Sequence, residues 1–273
     1  ATLAKGEDQF EVTGITTGKA YIVTYQTKVK DRVLDPFEIK NTAGFGGESS
    51  SSGKKVGIYY GSKSAGTVDY KNKTIDWRIA INYDQYPMEK ISVKDTLGEG
   101  LTLDKESINI TVDGQKYEGN YTVSDGNPFT INFPEDFKTN KEIIITYKTK
   151  FVADEVPLNE DKKPIARNKA EITWTPEDGS ESITKEVKAE TPLNKGTEDN
   201  SSYNPDAKEI TWTILVNYRE NEISNLIIED EPQENQKIVE GSAVVTELNI
   251  ANDGKITEGN TVENVATIDK NTN

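Results

Sequence analysis

The sequence predicts an all-β protein built from tandem sandwich modules, and three observations support this. Short runs of alternating apolar and polar residues, rich in Val, Ile, Thr and Tyr, recur along the 273 residues. Pairs of Asp or Asn with Gly, which form tight turns, stand between many of these runs. Only 33% of the residues are hydrophobic, which suits sheets with one buried face and one wet face.

Each predicted strand follows from one alternating run. The clearest runs, in chain order, are Ile75–Asn82, Ser107–Val112, Glu142–Lys150, Ala170–Trp174 and Ser182–Val187. The pairs Asp113-Gly114, Asp125-Gly126 and Asp178-Gly179 are predicted to be hairpin turns. The stretch 46–53 is rich in Gly and Ser and predicts a loop or linker. Together these features indicate a β-sandwich.

An internal duplication indicates how the chain is organised. The run Ile75–Tyr83 returns as Ile210–Tyr218, and in both copies an Asp follows the tryptophan by eighteen residues. A second motif, Lys19–Lys28, returns as Lys141–Lys150 with six of ten positions identical. This second motif precedes the first along the chain. The order predicts three modules: the back half of one (1–53), a complete one (54–190) and the front half of another (191–273).

Incomplete terminal modules have a physical consequence. A half sandwich leaves sheet edges and an apolar face uncovered. Each half is therefore expected to take a complementary partner.

The composition excludes several kinds of chemistry. Without His or Cys, the chain cannot build catalytic triads, thiol centres, disulfides or zinc sites with nitrogen or sulfur ligands. The acidic pairs lack the spacing of a calcium loop, so we expect no metal and no cofactor. A net charge of −15 makes nucleic acid a poor partner. No run of eighteen apolar residues occurs, so we expect no insertion into a membrane.

Three residues of the complete module suggest a reaction. Asp95 and Asn168 share their strand faces with apolar residues and so point inward, and Lys63 lies just before the first core strand. In an apolar interior a lysine loses its proton and an aspartate keeps one. The amine can then attack the Asn carboxamide, polarised by the acid, and release ammonia. An isopeptide bond would remain.

The runs Trp77–Asn82, Val93–Asp95 and Asn168–Ile172 resemble modules of Gram-positive cell-wall adhesins of the collagen-adhesin (Cna-type) A-region family. The resemblance covers residues 54–190 and part of each flank. It implies immunoglobulin-like sandwiches on the bacterial cell surface, extracellular and attached to the cell wall. It also implies that many such modules carry a self-formed Lys–Asn isopeptide bond.

The resemblance assigns a role to each candidate residue. Lys63 matches the reactive lysine of the first strand, Asp95 the catalytic acid and Asn168 the acceptor on the last strand. A bond between Lys63 and Asn168 would therefore join the first and last strands of the module.

The front half-module repeats this set of residues in part. Lys195 corresponds to Lys63, and Asp230 corresponds to Asp95 as a weaker candidate acid. Two acceptors remain open: Asn264 in the same half-module and Asn41 in the opening half-module. A Lys195–Asn41 bond between molecules would give a covalent head-to-tail fibre.

The sequence therefore predicts a structural stalk or adhesin repeat of a bacterial surface protein, rather than an enzyme. Bond formation would happen once, without an external substrate. Two alternatives remain open: a fibre-forming subunit whose half-modules complement those of neighbouring copies, and a module that binds collagen or another host matrix protein. A carbohydrate-active enzyme would need a pair of carboxylates in a cleft, and the spacing of the acidic residues indicates none.

Overall fold

A computed structural model describes residues 2–5, 10–14, 16, 18–29, 31–45, 47–193, 198–230, 235–252 and 254–263. These ranges contain nineteen strands, one 3₁₀ helix (Ala153–Glu155) and no α-helix. The strands are β1 (Thr2–Lys5), β2 (Phe10–Thr13), β3 (Phe37–Phe45), β4 (Glu48–Val56), β5 (Gly61–Asp69), β6 (Thr74–Ile81), β7 (Met88–Leu97), β8 (Leu101–Val112), β9 (Gln115–Lys116), β10 (Thr122–Val123), β11 (Phe129–Asn132), β12 (Lys138–Thr139), β13 (Ile143–Phe151), β14 (Ile165–Pro176), β15 (Ile183–Pro192), β16 (Glu198–Asn204), β17 (Glu209–Leu215), β18 (Val245–Ile250) and β19 (Ile256–Val262).

The chain divides into two compact units, residues 1–32 and 33–273. In the first unit β1 and β2 form an antiparallel hairpin, with Thr2 opposite Thr13. The motif Lys19–Lys28 also lies in this unit and belongs to no strand. Its counterpart in the second unit is strand β13.

The second unit contains a sandwich of two antiparallel sheets. One sheet has the order β10-β11-β7-β14-β15, with β12 beside β7, and the other has the order β5-β6-β13-β8-β9. Apolar side chains from both sheets are buried in one continuous core. This arrangement confirms the predicted all-β, immunoglobulin-like class.

Alternation along the strands builds this core. In β6 the residues Ile75, Trp77 and Ile79 point to the same side and are fully buried. The indole Nε1 of Trp77 donates a hydrogen bond of 2.9 Å to Thr149 Oγ1 in β13. The ring therefore packs in the apolar interior while its polar atom keeps a partner.

The Gly- and Ser-rich stretch 46–53 differs from its prediction. Most of it belongs to β4, which pairs along its whole length with β3 in an exposed hairpin. Gly47, with φ +87°, lies in the turn. Serines tolerate an exposed strand because a neighbouring strand supplies the backbone hydrogen bonds, so low complexity here did not mean a loop.

The duplicated sequence folds locally in the same way in both copies. Four non-glycine residues with positive φ in the first copy have counterparts with positive φ 135 residues later. The pairs are Lys73 and Lys208, Asn82 and Asn217, Gln85 and Glu220, and Lys90 and Asn225. Positive φ is uncommon outside glycine, so four matching positions show a repeated backbone path.

The two copies differ in what covers them. Strand β6 lies between β5 and β13, and Trp77 is 1% exposed. Strand β17, its counterpart, pairs only with β16 among the described strands, and Trp212 is 55% exposed. The counterpart of β7 forms no strand over residues 223–230. The apolar face of the second copy is thus open to solvent.

The second copy contacts one end of the sandwich through its turn after β17. The ring of Tyr218 packs edge-on against Tyr70, with centroids 5.5 Å apart. The guanidinium of Arg219 donates a hydrogen bond of 2.7 Å to Asp154 beside the 3₁₀ helix. An aromatic contact and an ion pair therefore hold this turn on the sandwich.

Candidate isopeptide site

Three strands bring the candidate residues to the interior of the sandwich. Lys63 lies within β5, opposite Ile79 of β6, rather than before the first core strand as the sequence suggested. Asp95 lies in β7 and Asn168 in β14, and these two strands are paired in the other sheet. Because Asp95 and Asn168 are diagonal neighbours on one face of that pair, their side chains point together toward Lys63.

The amine and the carboxyl are in direct contact. Lys63 Nζ lies 2.5 Å from Asp95 Oδ2, and both side chains are completely removed from solvent. Asn168 is also buried, at 2% exposure. Buried charges are costly without partners, so this contact determines the protonation state of both groups.

The structure adds a fourth member, Tyr147 of β13, which sequence reasoning missed. Its Oη accepts hydrogen bonds from Lys63 Nζ at 2.6 Å and from Asn168 Nδ2 at 2.8 Å, and donates one of 2.6 Å to Asp95 Oδ2. One hydroxyl thus contacts all three predicted groups. Tyr147 alternates in phase with the buried apolar residues of its run, which was the available signal.

Two buried oxygens of the cluster have no hydrogen-bond donor: Asp95 Oδ1 and Asn168 Oδ1. A carboxylate oxygen that carries charge in an apolar interior without a donor is costly. The unsatisfied Oδ1 therefore favours the carboxylic acid form of Asp95.

Burial pushes the two titrating groups toward their neutral forms. Desolvation lowers the pKa of Lys63, and the charge and hydrogen bond of Asp95 oppose that change. Desolvation raises the pKa of Asp95, opposed by Lys63 and by the hydrogen bond from Tyr147. Desolvation, followed by the charge of Asp95, raises the pKa of Tyr147 well above its ordinary value, so the phenol keeps its proton.

Aromatic rings enclose the amine. Lys63 Nζ lies 5.9 Å from the ring centroid of Trp77 and 5.1 Å from that of Tyr147. Phe129 packs edge-on against Tyr147 with centroids 5.6 Å apart. These rings exclude water from the amine, the acid and the carboxamide, which leaves them to react only with one another.

The acceptor strand differs from the prediction. Asn168 lies on β14, and β15 follows it as the edge strand of the same sheet. The cross-link would join the first strand of the sandwich to its next-to-last strand. The turn at 177–182 leads into β15, which the run Ser182–Val187 predicted, so Asn168 is not on the last strand of the module.

Of the second set of candidate residues, the structure describes Asp230 and Asn41, and neither is buried. Asp230 is exposed and outside any strand, and Asn41 is exposed in β3. Lys195 and Asn264 lie outside the described residues. The reason is visible at Asp230: the described residues around it form no strand and have no second sheet packed on them, so nothing buries its carboxyl.

Within the described ranges, no group of three or more acidic side chains is arranged to hold a metal ion. The described residues also include no helix long and apolar enough to cross a membrane.

Comparisons with known proteins point to one family. A family model described as "Collagen binding domain" matches residues 62–173 and 195–273, so both copies of the repeat are included. Curated protein sequences gave no match.

Solved structures with similar folds include three from Gram-positive bacteria. The collagen-binding subdomain of the Enterococcus faecalis surface protein ACE is 16% identical, with a TM-score of 0.39 over 50% of this chain and 99% of that one. The collagen-binding domain of a Staphylococcus aureus adhesin is 19% identical, with a TM-score of 0.37 over 50% of this chain and 100% of that one. BcpA, the major pilin subunit of Bacillus cereus, is 17% identical, with a TM-score of 0.35 over 64% of this chain and 45% of that one.

Proposed function

This chain belongs to the collagen-binding domain family, and on that premise we propose that it is a repeat of a Gram-positive surface protein. It works outside the cell as an adhesin or stalk and reinforces itself with an isopeptide bond between Lys63 and Asn168. The buried contact of Lys63, Asp95, Tyr147 and Asn168 carries this proposal.

The reaction uses groups of the chain alone. Lys63 Nζ first gives a proton to Asp95 Oδ2, 2.5 Å away, which leaves a neutral amine and a carboxylic acid. The amine attacks Cγ of Asn168 while the acid stabilises negative charge on Oδ1. The Nζ–Cγ bond forms, the Cγ–Nδ2 bond breaks and ammonia leaves. Asp95 recovers its proton when the intermediate collapses.

The bond would link the two sheets of the sandwich. Lys63 lies in the sheet of β5 and β6, whereas Asn168 lies in the sheet of β7 and β14. Closing a loop of about 105 residues stabilises a fold by about 4–5 kcal/mol in the chain-entropy model. A pulling force would load β15, which follows Asn168, through its hydrogen bonds to β14, and the covalent link would then carry the load past the strands between Lys63 and Asn168. Such a property suits a stalk under load.

Intact-mass measurement tests the proposal. We expect the wild-type chain to be lighter than its sequence mass by one ammonia, and Asp95→Ala to have the full mass. The free energy of unfolding of Asp95→Ala, measured with denaturant, should be lower than that of the wild type by about 4–5 kcal/mol or more, because the cross-link is absent. The control is Asp125→Ala, which removes an exposed partner of Lys105 and should cost less than about 1 kcal/mol. A wild-type chain of full mass would refute the bond.

A second candidate function is adhesion by binding to collagen. It is favoured by the family and by a groove of about 350 Å³ on the solvent face of the β5-β6-β13-β8 sheet. Charged and polar side chains line it, among them Asp76, Arg78 and Lys148. Polar side chains on an open face can form hydrogen bonds with the polar groups of an elongated ligand, so that binding leaves no polar group buried without a partner.

Binding to an immobilised triple-helical collagen peptide tests this second function. Arg78→Ala should weaken binding, and Lys185→Ala, which changes a lysine outside the groove, should not. Equal binding by both variants and the wild type would remove the groove from consideration.

A further inference from the structure

We propose that the hydroxyl of Tyr147 is a catalytic proton relay that protonates the leaving nitrogen of Asn168. This inference rests on the proposed isopeptide reaction. It concerns one step of that reaction: the departure of ammonia.

The hydroxyl is fully engaged by the three reacting groups. A tyrosine hydroxyl has one donor and two acceptor positions. In Tyr147 the donor goes to Asp95 Oδ2, and the acceptors receive Lys63 Nζ and Asn168 Nδ2. The nitrogen that attacks and the nitrogen that leaves therefore share one oxygen as a hydrogen-bond partner.

The leaving nitrogen needs a proton, because an amide anion is a far poorer leaving group than ammonia. Asp95 Oδ2 accepts hydrogen bonds from Lys63 Nζ and Tyr147 Oη, and in the proposed reaction its acid proton serves Asn168 Oδ1. Nδ2 contacts Tyr147 Oη at 2.8 Å. Tyr147 is thus placed to deliver the proton that Asp95 is not placed to give.

The proton balance closes on the chain itself. After attack, the former lysine nitrogen carries a proton that it must lose. It passes this proton to Tyr147 Oη over a contact of 2.6 Å, and the hydroxyl turns its own proton from Asp95 Oδ2 to the lone pair that Nδ2 gains in the tetrahedral intermediate. Nδ2 leaves as ammonia, Nζ keeps one hydrogen as the new amide N–H, and Tyr147 ends as it began.

The same hydroxyl orients the carboxamide. Since Nδ2 donates to Tyr147, Oδ1 is turned away from Tyr147 and is the atom without a donor. The carbonyl oxygen is therefore available to the acid. The motif Lys19–Lys28 also has a tyrosine, Tyr25, at the position equivalent to Tyr147, so both copies of this motif carry the group.

Time-resolved intact mass of chains made by cell-free synthesis tests the relay. We expect Tyr147→Phe to lose ammonia about 10²–10⁴ times more slowly than the wild type, the range for one acid–base group. The control is Tyr60→Phe, which removes a hydroxyl from another buried tyrosine that stacks on Trp174. Tyr60→Phe should react at the wild-type rate.

Two further measurements separate a relay from a structural role. In an Asn168→Ala background, which cannot react, the melting temperatures with and without Tyr147→Phe report the structural effect alone. A fluorinated tyrosine at position 147 keeps the ring and hydroxyl but makes the phenol more acidic, so a relay predicts a changed rate. A rate unchanged by fluorination, or a slowing of Tyr147→Phe that only follows lost stability, would overturn the relay. A wild-type chain that never loses ammonia would instead overturn the proposed function.

Discussion

Lys63 and Asp95 act as one titrating unit, because they lie 2.5 Å apart with both side chains fully buried. Desolvation lowers the pKa of the lysine and raises that of the acid, so the neutral pair gains relative to the ion pair. In water a carboxylic acid would instead give its proton to the amine, and both groups would be charged. Burial therefore favours the neutral amine and the carboxylic acid, the two forms that the proposed reaction needs.

The rate of ammonia loss should depend on pH as a bell-shaped curve. At low pH the pair takes up a second proton, and the ammonium cannot attack. At high pH the pair loses its last proton, and no acid remains to polarise the carboxamide. Tyr147, which faces both groups, stays protonated because its pKa is raised well above the ordinary value.

Cell-free chains transferred to buffers across the pH range, with the mass followed in time, would measure this curve. Asp95→Asn is the matched control, because it keeps the shape of the side chain and removes the titrating acid. A rate that rises continuously with pH, as for a free amine, would contradict a shared proton.

Alternation was enough to predict the inward faces of Asp95 and Asn168, because their runs place them in phase with apolar residues. Tyr147 satisfies the same rule, but an aromatic residue in an inward position usually indicates only core packing. Its contact with the other three depends on how the two sheets are stacked. A linear pattern does not contain that information, although a buried hydroxyl always needs a partner.

At the scale of elements, the turn after β6 shows how one residue ties strands together. Asn82 has φ +65° and is fully buried. Its Nδ2 donates to Tyr86 O at 2.8 Å and to Lys141 O at 3.2 Å, and its Oδ1 accepts from Tyr86 N at 3.0 Å. The amide thereby links the β6–β7 connection to the chain just before β13.

Asn82→Ala should destabilise the sandwich by about 2–4 kcal/mol, because it strains the left-handed backbone and removes three part-buried hydrogen bonds to backbone groups. Asn217 makes the same turn, with bonds of 2.9 and 3.0 Å to Asn221, but among the described residues it has no contact like the one to Lys141, and its turn leads into residues 221–230, which form no strand.

Asn217→Ala is therefore the matched control and should change the main unfolding transition by less than about 1 kcal/mol. Denaturant unfolding of both variants would measure the difference. If the two variants lost the same free energy of unfolding, the turn would act only locally and would not tie strands together.

Strand formation in this chain depends on neighbours as well as on pattern. The Lys19–Lys28 motif matches β13 at six of ten positions but forms no strand. In β13 every residue from Ile143 to Lys150 is paired with β6. The sequence could predict which residues alternate, but not which segment has a partner, since ladder hydrogen bonds come from another part of the chain.

At the scale of the whole molecule, the chain carries a second copy of each strand of the β6–β13 pair: β17 is equivalent to β6, and residues 19–28 are equivalent to β13. In the sandwich, Tyr147 of β13 lies opposite Trp77 of β6. The equivalent residues are Tyr25 and Trp212, and both are exposed. Residues 198–230 carry eight acidic and two basic side chains, whereas Lys19 and Lys28 make the other segment basic. Sequence and charge thus suit residues 19–28 of one copy to the open edge of β17 in a second copy.

We expect the chain to self-associate as its concentration rises, with a blue shift of Trp212 fluorescence as the indole leaves water. A peptide with the sequence of residues 19–28 should produce the same shift by occupying β17. Val23→Asp in the peptide places a charge on the inward face, equivalent to the buried Ile145, and should abolish the effect. Ile22→Asp adds the same charge to the opposite face and should weaken it less, so equal loss from both would indicate non-specific apolar contact rather than a paired strand.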